Sequence, residues 1–284
     1  MPQKEEFFRE GGKHFANTRP GKFFGYCNLN YGLLATIIER VTGKRFDVYQ
    51  RENILDPLGI SGGYVVGNLS DSAFENLGSL YQRQDGSWKA QIDDYAVKPR
   101  RDTVRDENPY RAETYATYSL ADYVTGTNAT VFSPSGGLRI SFGGLSHCLD
   151  MLINRGKFGG RQVIGEKSFD TMTAAHWTYD SEHPNGNTYG GVMENYGLGT
   201  YRLGGESRAR PCKDYAIDLI GHSGEAFGLI SGLYFVPGTR DGFAFMINGR
   251  AIGLDDKGSC GEYSANYIWE EGVMNPVCRY IKEK

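Results

Sequence analysis

Between Tyr196 and Arg250 the chain is cut into short β-rich runs, "YGLGTYRLGG", "YAIDLIGHSG", "FGLISGLYFVPG" and "DGFAFMINGR", separated by Gly, Pro and Asp turns. Runs this short, rich in Ile, Tyr, Phe and Leu and joined by turn residues, read as consecutive antiparallel strands. Helical period marks the earlier part. Leu33, Leu34, Ile37, Ile38 and Val41 recur at helical spacing and Gly43 is a natural C-cap. A second short helix is expected from Phe46 to Ile54, stopped by Pro57 and Gly59, and a third has Leu145, Cys148, Leu149 and Leu152 on one face and ends at Gly156. "GEKSFDTMTAA" reads as a further short helix, and a last one near Tyr263 to Ile281 would pack back on the sheet. Helices followed by a strand meander give an α+β fold. Residues 61–130, rich in Asp, Tyr, Gly, Ser and Arg, read as a partly irregular region over a site.

At 284 residues with 39% hydrophobic and 23% charged residues, the chain can bury a substantial core, and it is read as one domain, 1–284. A net charge of −3 leaves no electrostatic footprint for nucleic acid, and no apolar run approaches a membrane span. The start, "MPQKEEFFREGGKHF", is charged and lacks the apolar stretch of a secretory signal. Cys27, Cys148, Cys212, Cys260 and Cys278 are widely spaced, form no zinc motif and are expected to be mostly buried thiols. No metal or cofactor motif is present, so neither is expected. His14, His147, His176 and His183 are scattered and read as surface or packing residues; Trp88 and Tyr179 read as packing aromatics.

Two motifs carry chemistry. In "LIGHSGEAFGLISGLYF", Ser223 sits between His222 and Gly224. A nucleophile elbow needs Gly-x-Ser-x-Gly on a strand-to-helix turn, whereas here Glu225 stands two past the serine and strand-like sequence follows. Neighbours on a strand point to opposite faces, so His222 is no base for Ser223 by adjacency. The second motif is Tyr26-Cys27-Asn28, which taken alone reads as a helix N-cap beside an aromatic residue.

Taken together, these stretches resemble the serine β-lactamase-related family, which includes class C β-lactamases, D-alanyl-D-alanine carboxypeptidases, esterases and D-amino-acid peptidases. "PGKFFGYCNLNYGLLATIIERVTGKRF" is similar to the segment with the family's Tyr-x-Asn motif. "ILDPLGI", "SPSGGLRIS" and "GHSGEAFGLISGLYFVPGTRDGFAFMINGR" follow in the family's order. The resemblance implies a β-lactamase/penicillin-binding-protein-like antiparallel sheet flanked by helices, and acyl transfer through the serine of Ser-x-x-Lys to hydrolyse an amide or ester. It makes Tyr26 a proton shuttle and Asn28 a ligand for a substrate carbonyl. His222 would set site electrostatics, and Ser223 would bind a substrate carboxylate or assist proton transfer. Gly224 would admit the substrate backbone, and the Glu225 amide would donate to an oxyanion. Tyr26, Asn28 and His222 should therefore meet in one cleft.

One departure matters. No serine here is followed three residues later by lysine; Ser207 has Arg210 at that spacing, and the lysine after Ser87 comes too early, at Lys89. Only 25 residues precede Tyr26. The expectation is a C-terminal part of such a protein, with the N-terminal strands and nucleophile helix missing and the chain alone inactive. The helix after Asn28 and the strand "FAFMI" should then expose apolar surface, favouring a homo-oligomer or a complementing N-terminal segment. The alternative is a non-catalytic pseudoenzyme or a fragment that binds a ligand or partner. Small molecules or peptides are the expected substrates, and an extracytoplasmic location follows only from the resemblance.

Overall fold

A computed structural model describes residues 18–105, 117–127, 129–250 and 260–284. Its spine is an antiparallel sheet of six strands. These are β7 (Trp177–Thr178), β8 (Asn195–Tyr196), β9 (Tyr201–Leu203), β10 (Leu219–Ala226), β11 (Leu229–Phe235) and β12 (Gly242–Ile247). The β-rich runs are thus strands of one sheet, each bonded to its neighbour in sequence. Alternation divides it into two faces. Tyr201, Leu203, Leu219, Ile230, Tyr234, Phe243 and Phe245 join Met274 and Cys278 in the main core. On the other face Ile220 and Phe235 pack with Phe169, Leu149 and Ile153.

Helices cover both faces. Four of them are α1 (Asn28–Thr42), α2 (Phe46–Gln50), α3 (Asp71–Glu75) and α4 (Phe142–Ile153), the last capped by the Ser141 side chain. They are followed by α5 (Glu166–Thr173) and α6 (Ile268–Glu283). The second expected helix is α only to Gln50 and continues as a π-turn over Arg51–Leu55. The last helix begins at Ile268, later than the expected start near Tyr263. The Tyr267 N–H donates to the Glu270 carboxylate at 2.9 Å, and the preceding residues wrap the Glu271 carboxylate, which accepts from the N–H groups of Glu262, Tyr263 and Ser264. No described helix is long and apolar enough to cross a membrane.

The irregular stretch is more ordered than its composition implied. It holds α3 and two small antiparallel ladders, β1 (Tyr81–Gln84) with β2 (Ser87–Ala90) and β3 (Thr103–Arg105) with β4 (Thr117–Ser119). Buried polar links tie it down. The Asp93 carboxylate pairs with Arg139, and the fully buried Glu39 of α1 accepts from the Tyr123 hydroxyl and from the Gly126 and Phe46 N–H groups. The β1–β2 hairpin abuts the end of the main sheet, where Tyr81 N–H donates to Asn248 Oδ1 and Asn248 Nδ2 donates to the Ser79 carbonyl.

Two expectations need correction, and a third agrees with the structure. The apolar stripe of α1 is exposed as expected: Leu34, Ile37 and Val41 are 54%, 55% and 81% exposed. The buried face is Gly32, Ala35 and Glu39, because Gly32 lies against Thr130 so closely that an added Cβ would collide with it, and Glu39 is held by its donors. The strand "FAFMI" is not an exposed patch, since Phe243 and Phe245 are buried in the main core and only Met246 is markedly exposed. The cysteines are not mostly buried thiols: Cys212 and Cys278 form a disulfide across 66 positions, while Cys27 and Cys260 are exposed. His14 lies outside the described residues.

These burials set a contrast in stability. Leu219→Ala, emptying a fully buried site, should cost roughly 2–5 kcal/mol, whereas Ile37→Ala on the exposed stripe should stay within about 0.5 kcal/mol. Urea unfolding measures both; similar losses for the two would show that the α1 stripe is covered in solution.

Candidate active site

Tyr26 is placed by the segment in front of α1. Phe24 forms a parallel bridge with Gly186: its N–H donates to the Asn185 carbonyl at 2.9 Å and its carbonyl accepts from Asn187 N–H at 2.9 Å. The Phe24 ring stacks on Trp177 at 4.3 Å, and the Tyr189 hydroxyl donates to the Tyr26 carbonyl at 2.8 Å. Gly186 is required here, because a Cβ would sit 2.5 Å from Trp177 and 2.8 Å from Phe24. Cys27 is the N-cap of α1 and makes no side-chain cap bond. Asn28 is not spent on capping either: its Oδ1 accepts from the Tyr26 hydroxyl at 3.0 Å.

His222 and Ser223 are placed by unequal pairing of β10. With β11 the ladder runs from Ile220 to Ala226, but with β9 it stops at the Gly221–Tyr201 pair. Beyond that point no strand among the described residues pairs with this edge of β10. Ser223 N–H points to that edge, where it donates to the Tyr201 hydroxyl at 3.2 Å. By ladder alternation the next N–H on the same edge is that of Glu225. The strand continues through Ser223 to Ala226 without a strand-to-helix turn, so the nucleophile-elbow geometry is absent.

Tyr26 and His222, almost two hundred positions apart, lie with ring centroids 5.7 Å apart. Sequence reasoning paired these two motifs but missed the tyrosines that join them. The Tyr196 hydroxyl lies 3.2 Å from His222 Nε2 and 3.0 Å from the Tyr31 hydroxyl. His222 Nδ1 faces the Ser223 carbonyl, which can only accept, so Nδ1 carries the proton and a neutral ring accepts at Nε2 from Tyr196. Tyr196 in turn accepts from Tyr31. Ser223 Oγ is held on the other face, accepting from Tyr201 at 2.9 Å, and Tyr201 lies 3.0 Å from the Tyr234 hydroxyl. Among the described residues Ser223 Oγ makes no hydrogen bond with His222.

The electrostatics are those of a neutral, partly dry cluster. Burial, reinforced by Tyr31, pushes the Tyr26 phenol up to about 12, and the same causes raise Tyr196. Tyr201 and Tyr234 are raised chiefly by burial, which also lowers the His222 imidazole. Among the described residues no lysine or arginine donates to Tyr26, Tyr196 or His222. Glu225 is turned away: its carboxylate pairs with Arg250 and accepts from the Tyr267 hydroxyl at 3.0 Å, while the Arg250 guanidinium stacks 4.3 Å over Tyr267. At Gly224 a Cβ would stand 2.6 Å from Ser231 Oγ on β11, a contact that a rotating hydroxyl can relieve. The other histidines are engaged locally, His147 with the Leu58 carbonyl, His176 with the Thr171 carbonyl and His183 with Asp180.

The family of the chain follows from comparison with known proteins. The Beta-lactamase family profile matches residues 2–257, and the chain belongs to that family. The beta-lactamase/D-alanine carboxypeptidase from Yersinia pestis, complexed with citrate, superimposes with a TM-score of 0.56 at 16% identity, covering 93% of this chain and 57% of its own. The D-amino acid amidase from Ochrobactrum anthropi SV3, complexed with D-phenylalanine, gives 0.56 at 16% identity, covering 95% and 61%. The penicillin-binding protein from Bacillus halodurans gives 0.50 at 16%, covering 94% and 58%. At such identities the likeness is one of fold, the β-lactamase/penicillin-binding-protein-like α+β fold. The chain spans about three-fifths of the length of these structures. No curated protein matches it significantly.

The cluster predicts a pH response with a definite sign. With its folded pKa lowered, His222 takes up a proton later than in the unfolded chain, so its neutral ring contributes stability that is lost as pH falls below about 6.5. Tyr26 acts at the other end, its contribution being lost as pH rises from about 10 towards 12. Urea unfolding at pH 7.5 and 5.0 should show a smaller loss for His222→Gln than for the wild type. An equal loss would mean that the ring is solvated.

Proposed function

We propose that this chain forms the tyrosine–asparagine and histidine–serine–glycine walls of a serine-hydrolase site for amide or ester bonds, of the acyl-enzyme type. The observation that carries this reading is the meeting of Tyr26 and His222 beside the open edge of β10. In it, Tyr26 relays a proton and Asn28 holds a substrate amide carbonyl. His222 sets the local field as a neutral ring, Ser223 binds a substrate carboxylate or assists proton transfer, and Gly224 keeps the strand edge low for the substrate backbone. The Glu225 N–H donates to the developing oxyanion, its position fixed by the Arg250 and Tyr267 tethers on its side chain.

The nucleophile is the part these residues do not provide. No serine among the 284 residues has lysine three positions on. A phenol raised to about 12 is a poor base near neutral pH; a neighbouring ammonium is what would bring it down. We therefore assign Ser223 to the wall and the acyl-accepting serine to polypeptide outside this sequence. The Cys212–Cys278 disulfide supports an extracytoplasmic setting. The second reading, a non-catalytic protein that binds a ligand or partner chain, draws on the exposed stripe Leu34, Ile37 and Val41.

Fluorescent penicillin and a fluorophosphonate, each followed by intact mass, test the assignment. The chain alone should remain unlabelled. Labelling abolished by Ser223→Ala would make that serine the nucleophile and overturn the assignment. Labelling that appears only with added Ser-x-x-Lys polypeptide, and survives Ser223→Ala, would establish the hydrolase reading over the binding one.

A further inference from the structure

Away from this cluster, a solvent-open cavity of about 450 Å³ lies beside the start of α6, lined by Arg208, Arg210, Glu262, Tyr263, Ser264 and Ala265. Its walls are fixed by bonds between two segments. Ala265 N–H donates to the Arg208 carbonyl at 2.6 Å, Asn266 Nδ2 to the Ala209 carbonyl at 3.2 Å, and the Tyr263 hydroxyl to the Pro211 carbonyl at 3.1 Å. The neighbouring disulfide Cys212–Cys278 ties the same loop to α6.

Arginine chemistry distinguishes this place. Arg202, Arg210 and Arg250 each have a buried Nε without a hydrogen-bond partner among the described residues. Two of them are satisfied through other nitrogens: Arg250 pairs with Glu225, and Arg202 donates to the Thr173 carbonyl at 3.4 Å. Arg210 has the Tyr263 ring, 5.7 Å from its guanidinium carbon, and no acceptor among the described residues. Arg208 likewise has no side-chain acceptor among them; its backbone N–H donates to Glu194. The buried Glu271 carboxylate at the start of α6 is already saturated by three N–H groups and the Ser264 hydroxyl. Glu262 shares the lining but is exposed and forms no ion pair with either arginine among the described contacts.

We propose that this cavity is an oxyanion-binding site, in which the Arg208 and Arg210 guanidiniums hold a carboxylate or phosphate group. Arg210 is half-buried and its buried Nε has no acceptor among the described residues, and a planar fork of N–H groups matches two oxygens of either group. The Tyr263 ring, already backed by the guanidinium, forms the flat side of the site. The proposal is independent of the hydrolase reading, because these residues belong to the β9–β10 loop and the approach to α6 rather than to the tyrosine cluster.

Thermal unfolding and calorimetry with sodium phosphate and with sodium acetate, at ionic strength held constant with chloride, test it. The intact chain should show saturable, one-to-one binding. Arg210→Gln should weaken it at least tenfold, while Arg161→Gln, in an exposed two-residue strand, should leave it unchanged. Binding of phosphate alone would assign a phosphoryl ligand, and binding of both anions a carboxylate-accepting site. Should Arg210→Gln fail to fold, Arg208→Gln provides the same comparison. A response equal in all variants, or none to either anion, would overturn the proposal.

Discussion

The pairing of β10 with β9 ends at Gly221, and the candidate site depends on that ending. Had the ladder continued, the outward N–H groups of Ser223 and Glu225 would be bonded within the sheet. Instead the first is taken by a side chain, the Tyr201 hydroxyl, and no strand among the described residues pairs with the second. The same alternation sends His222 and Ser223 to opposite faces. His222 thereby meets Tyr26 and Tyr196, and Ser223 Oγ is anchored among Tyr201 and Tyr234. Gly221 also matters sterically, because a Cβ there would strike the Leu233 carbonyl and the Tyr234 ring.

Electrostatics reinforce the geometry. Every ionisable group in the cluster with a perturbed pKa is shifted towards its neutral form, and burial is the first cause in each case. A neutral hydrogen-bonded chain from Tyr31 through Tyr196 to His222 fixes one tautomer of the imidazole. Such a cluster is pre-organised, yet it has no charge of its own to activate a phenol. Among the described residues no lysine or arginine donates to Tyr26, so nothing there offsets the burial that raises its phenol to about 12.

The sequence made the strand meander and the motif pairing legible for different reasons. Turn residues cut the β-rich runs at nearly their true ends, and the four family segments retained their order. Periodicity found the apolar stripe of α1 but not the face that is buried, because burial there follows the close approach of Gly32 to Thr130 and the three donors around Glu39, none of which lies on α1. The Trp177–Asn185–Phe24 clamp was hidden in a loop without period, and the disulfide spans 66 positions that share no pattern. Tyr196 and Tyr201 were invisible as site residues because an aromatic in a strand reads as core, and Tyr201 is core as well, only 1% exposed.

The central claim is that Tyr26 and His222 share one cleft on the open edge of β10. Nuclear Overhauser contacts between the two rings, in protein labelled selectively at tyrosine and histidine and assigned with Tyr26→Phe, measure it most directly. Centroids 5.7 Å apart predict clear ring-to-ring cross-peaks that are assigned to Tyr26 and His222. Their absence, with Tyr196–His222 cross-peaks still present, would place Tyr26 elsewhere and contradict the account.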